Sequence, residues 1–311
     1  MFSYTNKVIG IFNQKGGVGK TTVGTIIAEY FALVKGKRVL VVDTDMQCNT
    51  SDYWVGMEFS PDDEGGQLPP KHPDYDGEED CEERSTIADI YYGKVVLPHP
   101  TYLNGKDHGP GVVDILLGHP KLLEDVNKEF DRPGVEVPVK FRDLLGAMLH
   151  DPATRDEYDV VIIDTGPSRT PLFRTSLHAA THAIIPFEPE VKSLQGINAM
   201  WQAITSENYS RAEKDRLITL GMIPNKVQRT NLHLEILESI RTSRIGRYCP
   251  PEVYLPRAIA FPERDVRGTN PKSIFSLPDS MPARVQSEVL GEYIFQQVLG
   301  NHATSLNKAT G

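Results

Sequence analysis

The stretch Lys-Gly-Gly-Val-Gly-Lys-Thr-Thr at residues 15–22 has the composition and spacing of a phosphate-binding loop. Its glycines let backbone N–H groups turn toward an anion and approach it closely. Lys20 can place its charge against the β- and γ-phosphates of a nucleotide, and the Thr21 hydroxyl can reach Mg²⁺. The general pattern G-x-x-x-x-G-K-[ST] asks for glycine where Gln14 stands, so this loop is a variant. The residues predicted to bind the cofactor here are Gly16, Gly17, Val18, Gly19, Lys20, Thr21 and Thr22.

The patterns on either side of the loop are those that a phosphate site requires. An apolar run of strand length precedes it, and a helical pattern follows it as far as Gly36, which suits a helix C-terminus. Apolar strands alternate with helical segments along the rest of the chain, which predicts a doubly wound α/β fold with a mostly parallel sheet. The predicted strands are 8–12, 38–42, 111–118, 158–164, 183–186 and 217–223, and the predicted helices are 20–35, 85–92, 140–150, 191–206, 232–243 and 283–299.

Carboxylates follow two of the predicted strands at the point where each strand ends. Asp43 and Asp45 come directly after the second strand, and Asp164 ends the run Val-Val-Ile-Ile. In open α/β sheets, ligands bind beyond the carboxyl ends of the strands. These side chains can therefore face a metal-bound phosphate and the water that hydrolysis needs in line with it. We expect a nucleotide hydrolase that uses Mg²⁺, and the family that this loop resembles implies that the nucleotide is ATP.

The octapeptide resembles the deviant Walker A motif of the ParA/MinD family of ATPases. The resemblance implies that Lys15 is a catalytic residue that reaches across a nucleotide-sandwich homodimer to the partner's phosphates. In that family, the stretch after the second strand usually reads Asp-x-Asp-Pro-Gln-Gly-Asn, whereas here it reads Asp-Thr-Asp-Met-Gln-Cys-Asn. Met46 therefore stands in place of the usual proline.

The same resemblance assigns further roles by position. Asp45 matches the residue tied to the attacking water, so the predicted catalytic residues include it together with the two lysines of the loop. Asp43 and Asp164, a Walker B aspartate, would serve Mg²⁺ along with Thr21. Asn225 matches an asparagine that reads the adenine edge, and Pro256 lies in a segment that resembles the one beside the base.

Arginines in the C-terminal half suggest contacts with nucleic acid. Arg241, Arg244 and Arg247 recur at three-residue intervals and are predicted to share one face of a helix end, with Arg267 nearby in sequence. Such a patch suits sequence-independent phosphate contacts. The resemblance implies that the ATP-bound dimer binds DNA non-specifically. It also implies that a ParB-like partner stimulates hydrolysis and that the cycle partitions plasmid or chromosomal DNA.

Composition sets limits on these expectations. The 311 residues carry a net charge of −9, which argues against a protein that coats nucleic acid with its whole surface. Three isolated cysteines without C-x-x-C spacing suggest a reducing cytoplasm, where the ATP-bound state would associate with the nucleoid. No apolar run approaches membrane length, and the amphipathic segment 289–299 lacks Lys and Arg, so no membrane partner is expected.

We expect one domain over residues 1–311, with an acidic surface insertion at about 58–84 and an irregular stretch at about 98–111. Two other functions remain open at this point. The first is an ATPase that positions a protein cargo, such as a chemoreceptor cluster or a carboxysome. The second is a metabolic P-loop enzyme of the same fold.

Overall fold

The structure, a computed structural model, describes residues 2–61, 66–77, 80–104, 109–130, 139–264 and 273–300, without the side chains of residues 139 and 140. The strands are β1 (Val8–Ile11), β2 (Arg38–Asp43), β3 (Glu58–Phe59), β4 (Gln67–Leu68), β5 (His99–Pro100), β6 (Val112–Leu116), β7 (Val160–Asp164), β8 (His182–Phe187) and β9 (Ile218–Pro224). The α-helices are α1 (Lys20–Glu29), α2 (Asn49–Val55), α3 (Pro120–Phe130), α4 (Val139–Leu149), α5 (Pro152–Glu157), α6 (Pro171–Ala179), α7 (Ser193–Tyr209), α8 (Asn231–Arg241), α9 (Ala260–Glu263) and α10 (Pro282–Val298).

A seven-stranded sheet in the order β5-β6-β2-β7-β1-β8-β9 lies at the centre, and β3 pairs with β4 in a separate small sheet. Neighbouring strands of the large sheet are parallel, apart from the antiparallel pair β5–β6. The predicted doubly wound α/β fold is confirmed. Every residue of β1, β7 and β8 is buried, because helices cover both faces of the sheet.

Two apolar layers pack on opposite faces of this sheet, and the alternation of β1 shows how they divide. Val8 joins one layer with Leu177 and Ile197, whereas Ile9 and Ile11 join the other, which includes α1 and α10. Successive residues of a strand point to opposite faces, so one short strand contributes to both cores.

The helices differ from their predictions in three ways. The helical stretch after the loop changes at Tyr30 from an α-helix to a π-helix that ends at Val34, and Gly36 closes it with φ +62° as predicted. Residues 87–92 form a 3₁₀ helix where an α-helix was expected. Helices α2, α3, α5, α6 and α9 were not predicted. Helices α2, α5 and α9 have seven residues or fewer, too few to show a 3.6-residue period, whereas α3 carries Leu122, Leu123, Val126 and Phe130 at helical spacing, a signal that sequence reasoning missed.

The predicted acidic insertion and the predicted irregular stretch contain more structure than expected where they are described. The 98–111 stretch includes the edge strand β5 and a 3₁₀ turn at 102–104, because its backbone pairs with β6. In the acidic stretch, Glu83 pairs with Lys71, and Glu58 pairs with Arg84, at 2.6 and 2.7 Å. The His72 ring also bonds to the Pro98 carbonyl at 3.0 Å, which ties the stretch to the segment before β5.

A close helix contact gives a test of this packing. A Cβ placed on Gly291 of α10 would lie 2.2 Å from Cγ of Tyr30, too close for the ring to avoid by a small rotation. We expect Gly291→Ala to lower the free energy of unfolding by about 1–3 kcal/mol, through overpacking. Urea unfolding followed by circular dichroism measures the change.

Gly24→Ala is the matched control, because a Cβ there meets Ile11 and Ile162 at an ordinary 3.6 and 3.8 Å. Alanine is the better helix former by about 1 kcal/mol, so this variant should be neutral or more stable. Equal effects of the two substitutions would contradict the predicted contact.

Candidate functional site

The loop between β1 and α1 forms an open cradle at the carboxyl end of the sheet. Gly17 and Gly19 have φ of +73° and +88°, a region that glycine enters without strain. A Cβ on Gly16 or Gly17 would meet no atom within 4 Å, so this side of the loop has room for a ligand. Gly19 caps the N-terminus of α1, where free backbone N–H groups favour an anion.

The two lysines of the loop lie in different environments. Lys20 is 7% exposed, and burial lowers the pKa of its ammonium while the nearby Asp164 and Asp45 oppose that shift. The Lys15 side chain is 36% exposed and forms an ion pair with Glu190, whose pKa the pairing lowers. The Lys15 backbone N–H donates to Asn13 Oδ1 at 2.9 Å, which fixes the start of the loop. Lys20 therefore faces the cradle from inside, and Lys15 lies at its solvent edge.

Asp43 and Asp164 are direct neighbours across β2 and β7, in register at the carboxyl ends of both strands. They are 0% and 2% exposed. Burial is the main cause that raises the pKa of Asp43 to about 8, and the charge of Asp164 adds to it; burial also raises the pKa of Asp164. The Thr21 hydroxyl donates to Asp164 Oδ2 at 2.6 Å. The structure thus brings together all three predicted Mg²⁺ residues.

Two residues of α2 that sequence reasoning missed hold these carboxylates. The Thr50 hydroxyl donates to Asp164 Oδ2 at 2.6 Å, and Ser51 donates to Asp43 Oδ2 through its N–H and its hydroxyl at 2.8 and 2.7 Å. Both residues are buried. The only available signal was a pair of hydroxyl residues shortly after an aspartate-rich turn. Hydroxyl residues are common at helix N-termini, so their presence does not reveal which side chains they bond to.

Asp45 lies at the edge of this cluster. Its N–H donates to Asp43 Oδ1 at 3.1 Å, and its own Oδ1 accepts from the Gln47 N–H at 3.1 Å. A Cβ on Gly166 would stand 3.4 Å from the same Asp45 oxygen, so the loop after β7 passes close to it. The side chain is 9% exposed, which leaves its carboxylate near solvent but held by backbone groups.

Asn225 lies against the phosphate loop from the end of β9. Its Nδ2 donates to the Val18 carbonyl at 2.9 Å, and a Cβ on Gly19 would lie 1.8 Å from that nitrogen. The next residue, Lys226, has φ +54° and donates to the Gly17 carbonyl at 2.6 Å, an interaction that sequence reasoning missed. Pro256 pairs with Val227 in a parallel bridge, which brings its segment to the same end of the sheet. Recognition of the adenine by Asn225 stays a prediction.

The arginine pattern needs a correction. Helix α8 ends at Arg241, so Arg244 lies in the following turn and Arg247 in a 3₁₀ turn, and the three do not share a helix face. The chain folds back onto the end of α8: a Cβ on Gly246 would lie 1.9 Å from the Arg241 carbonyl. The Arg241 guanidinium donates a hydrogen bond to the Pro251 carbonyl at 3.2 Å, whereas the side chains of the other two arginines are exposed. Arg267 lies outside the described residues.

The residues of the site fit a nucleotide with Mg²⁺. The open glycine cradle, the buried lysine and the helix N-terminus suit phosphates. Among the residues that the structure describes, no group of three His, Cys, Asp or Glu side chains could hold a metal ion by itself. Thr21, Asp43 and Asp164 would therefore hold Mg²⁺ together with phosphate oxygens and water, as this ion prefers. Within the described part of the chain, no helix has the length and apolar character to cross a membrane.

Comparison with known proteins agrees with this geometry. A family model described as an AAA domain matches residues 6–217, more than half of the chain. The sporulation initiation inhibitor protein Soj of Bacillus subtilis is 25% identical over 265 residues, which cover 84% of this chain and 88% of Soj. The chain belongs to the ParA/MinD family of P-loop ATPases.

Solved structures share the fold at low identity. Cobyrinic acid a,c-diamide synthase from Mycobacterium smegmatis, with bound ADP and magnesium, is 21% identical with a TM-score of 0.64, over 94% of this chain and 95% of that one. The pNOB8 ParA bound to nonspecific DNA is 22% identical with a TM-score of 0.61, over 93% and 97% of the two chains. Proteins of different activity thus share this architecture.

Thr50 provides a test of the carboxylate geometry at this site. If Thr21 gives its hydroxyl to Mg²⁺, as predicted, Thr50 would be left to hold Asp164 Oδ2. We expect Thr50→Val to raise the Mg²⁺ concentration needed for binding of a fluorescent ATP analogue by about tenfold, since a hydrogen bond to a charged group contributes about 1.5–3 kcal/mol. Thr50→Ser keeps the hydroxyl and should bind as the unmodified protein does. An unchanged Mg²⁺ midpoint in Thr50→Val would show that Asp164 needs no second hydroxyl.

Proposed function

We propose that this protein is a ParA-like partition ATPase that forms a sandwich dimer when it binds ATP. In this cycle the dimer binds DNA without sequence preference, a ParB-like partner stimulates hydrolysis, and hydrolysis releases the dimer from DNA. The family membership and the Mg-nucleotide geometry support the ATPase part of the proposal.

The observation that carries the dimer is the position of Lys15. The site already contains one buried lysine, Lys20, that can contact its own phosphates. A second lysine at the solvent edge can therefore reach the phosphates bound by another copy of the chain. Its only ion pair in the described residues is with Glu190, whose side chain is 48% exposed. Solvent screens such a pair, so it can be exchanged for a phosphate at low cost.

The proposed hydrolysis uses groups that already lie together around the cradle. Asp45 is held beside the carboxylate pair, close to the Gly166 backbone, where it can orient a water toward the γ-phosphate position. Lys20 would stabilise negative charge that develops on the phosphates. Mg²⁺ held with the help of Thr21, Asp43 and Asp164 would neutralise negative charge on the phosphates.

A set of variants tests the dimer. Asp45→Ala should bind ATP without hydrolysing it, and should therefore accumulate as a dimer in light scattering with Mg-ATP. Adding Lys15→Ala in that background should return it to a monomer that still binds ATP. Lys20→Ala should lose nucleotide binding altogether.

Lys128→Ala is the control, because Lys128 is another ion-paired surface lysine, bonded to Glu124 on α3. It should leave the dimer intact. If Asp45→Ala remains a monomer with ATP and does not bind DNA at low salt, the proposal is wrong.

DNA binding has a separate test. Arg244→Glu and Arg247→Glu reverse exposed charges, and each should weaken binding of the ATP-bound dimer to random-sequence DNA. The slope of log affinity against log salt should fall by about 0.9 for each DNA phosphate that the variant no longer neutralises. Arg155, on α5 before β7, is also exposed, and Arg155→Glu should change neither the affinity nor the slope. Equally weakened binding in all three variants would indicate a general charge effect without a defined patch.

The other two functions predict different outcomes in the same assays. A positioning ATPase for a protein cargo would dimerise in the same way, but would be stimulated by that cargo's adaptor. A metabolic enzyme would hydrolyse ATP only with its own substrate and would not respond to DNA. An ATPase assay with and without DNA, and with the product of the adjacent gene, separates them.

A further inference from the structure

A second polar cavity lies at the amino end of the sheet, opposite the nucleotide site. It has a volume of about 190 Å³. Its walls come from the segment before β1, the start of β8, the segment before β9 and α10. This is smaller than the roughly 300 Å³ at which pockets for drug-sized ligands begin, so it suits a small ion or a single functional group.

The charge around this cavity is strongly biased. Lys7, Lys214 and Arg216 line it and are exposed, and Asp215 is the one acidic side chain in the lining. In the described part of the chain, none of the three cations has a carboxylate within ion-pair distance. Cations converge here in a chain whose net charge is −9.

His182 adds a buried donor or acceptor to the same wall. It is 5% exposed and starts β8, where the Thr181 hydroxyl lies 2.9 Å from its Nδ1. Among the described residues, Nε2 has no hydrogen-bond partner. Burial, with the charge of Lys7, lowers the pKa of this imidazole to about 3, so it is neutral in the free protein. An anion would reverse the balance, because its charge favours a protonated ring.

We propose that the cavity formed by Lys7, His182, Lys214 and Arg216 binds a small phosphate-bearing anion. The cations would contact its oxygens from the rim, and His182 would meet it at the wall of the cavity. Free phosphate and the terminal phosphate of a small metabolite present the same group, and both fit a cavity of this size. A DNA backbone would reach the exposed rim cations but not the buried imidazole.

Binding of inorganic phosphate, with Mg-ADP at saturation to occupy the P-loop, tests the proposal by calorimetry. Lys214→Ala and Arg216→Ala should each weaken the affinity about tenfold, which corresponds to one charge-assisted hydrogen bond. Both residues are exposed, so the variants should fold. Arg155→Ala, the matched surface control, should bind phosphate as the unmodified protein does. Glycerol 3-phosphate forms a second arm, and the tighter of the two ligands identifies the source of the phosphate group.

The ring of His182 provides an independent readout. Its proton resonances, assigned by their disappearance in His182→Gln, should show a higher pKa when phosphate is present. No phosphate binding in the presence of Mg-ADP would overturn the proposal. Binding that Lys214→Ala and Arg216→Ala leave unchanged would place the anion elsewhere and overturn it as well. If only DNA binding depends on these two residues, the rim belongs to a nucleic-acid surface and the small-anion site is wrong.

Discussion

Two buried carboxylates on adjacent strands impose the constraint on which the rest of the site depends. Asp43 and Asp164 lie in register on β2 and β7, and both are almost fully excluded from water. Burial raises the pKa of each carboxyl, and a nearby negative charge adds to it, from Asp164 for Asp43 and from Asp45 for Asp164. The pair is therefore unfavourable unless something compensates it. The compensation comes from hydroxyl and backbone donors and from the buried ammonium of Lys20, and a divalent cation would complete it.

This constraint explains why α2 is part of the site. The turn after β2 must return its chain to the carboxylates to supply donors, and Thr50 and Ser51 do so from the first turn of that helix. Ser51 also accepts from the Gly118 N–H at 2.9 Å, which connects the turn to the end of β6. A change in the charge between the two aspartates can thus reach the neighbouring strand through a short chain of hydrogen bonds.

The fold and the centre of the site could be predicted because their signals are local. The phosphate loop is a contiguous motif, the buried strands are uninterrupted apolar runs, and parallel strands bring Asp43 and Asp164 to one edge without further information. What could not be predicted depends on packing between distant segments. The partners of Thr50, Glu190 and Lys226 are set by how segments far apart in sequence pack against one another.

The prediction that three arginines share a helix face was wrong for a different reason. A three-residue spacing indicates a shared helix face only while the helix continues, and α8 ends at Arg241. The spacing contains no information about that end. It is set by the turn that follows, in which Gly246, five residues later, approaches the Arg241 backbone too closely for a residue with a side chain.

The two lysines of the phosphate loop show how one short motif can carry a residue for its own nucleotide and another for contact with a second chain. Lys20 is the first residue of α1 and is buried against the carboxylates, so its position is fixed by the protein's own fold. Lys15 precedes the glycines, and its side chain lies at the surface with one screened partner. If a buried ammonium left its site, the buried carboxylates beside it would lose their compensating charge at a large cost, whereas an exposed ammonium exchanges partners at little cost. The difference in burial, which the motif alone does not express, is therefore the physical basis for separating nucleotide binding from the proposed association of two chains.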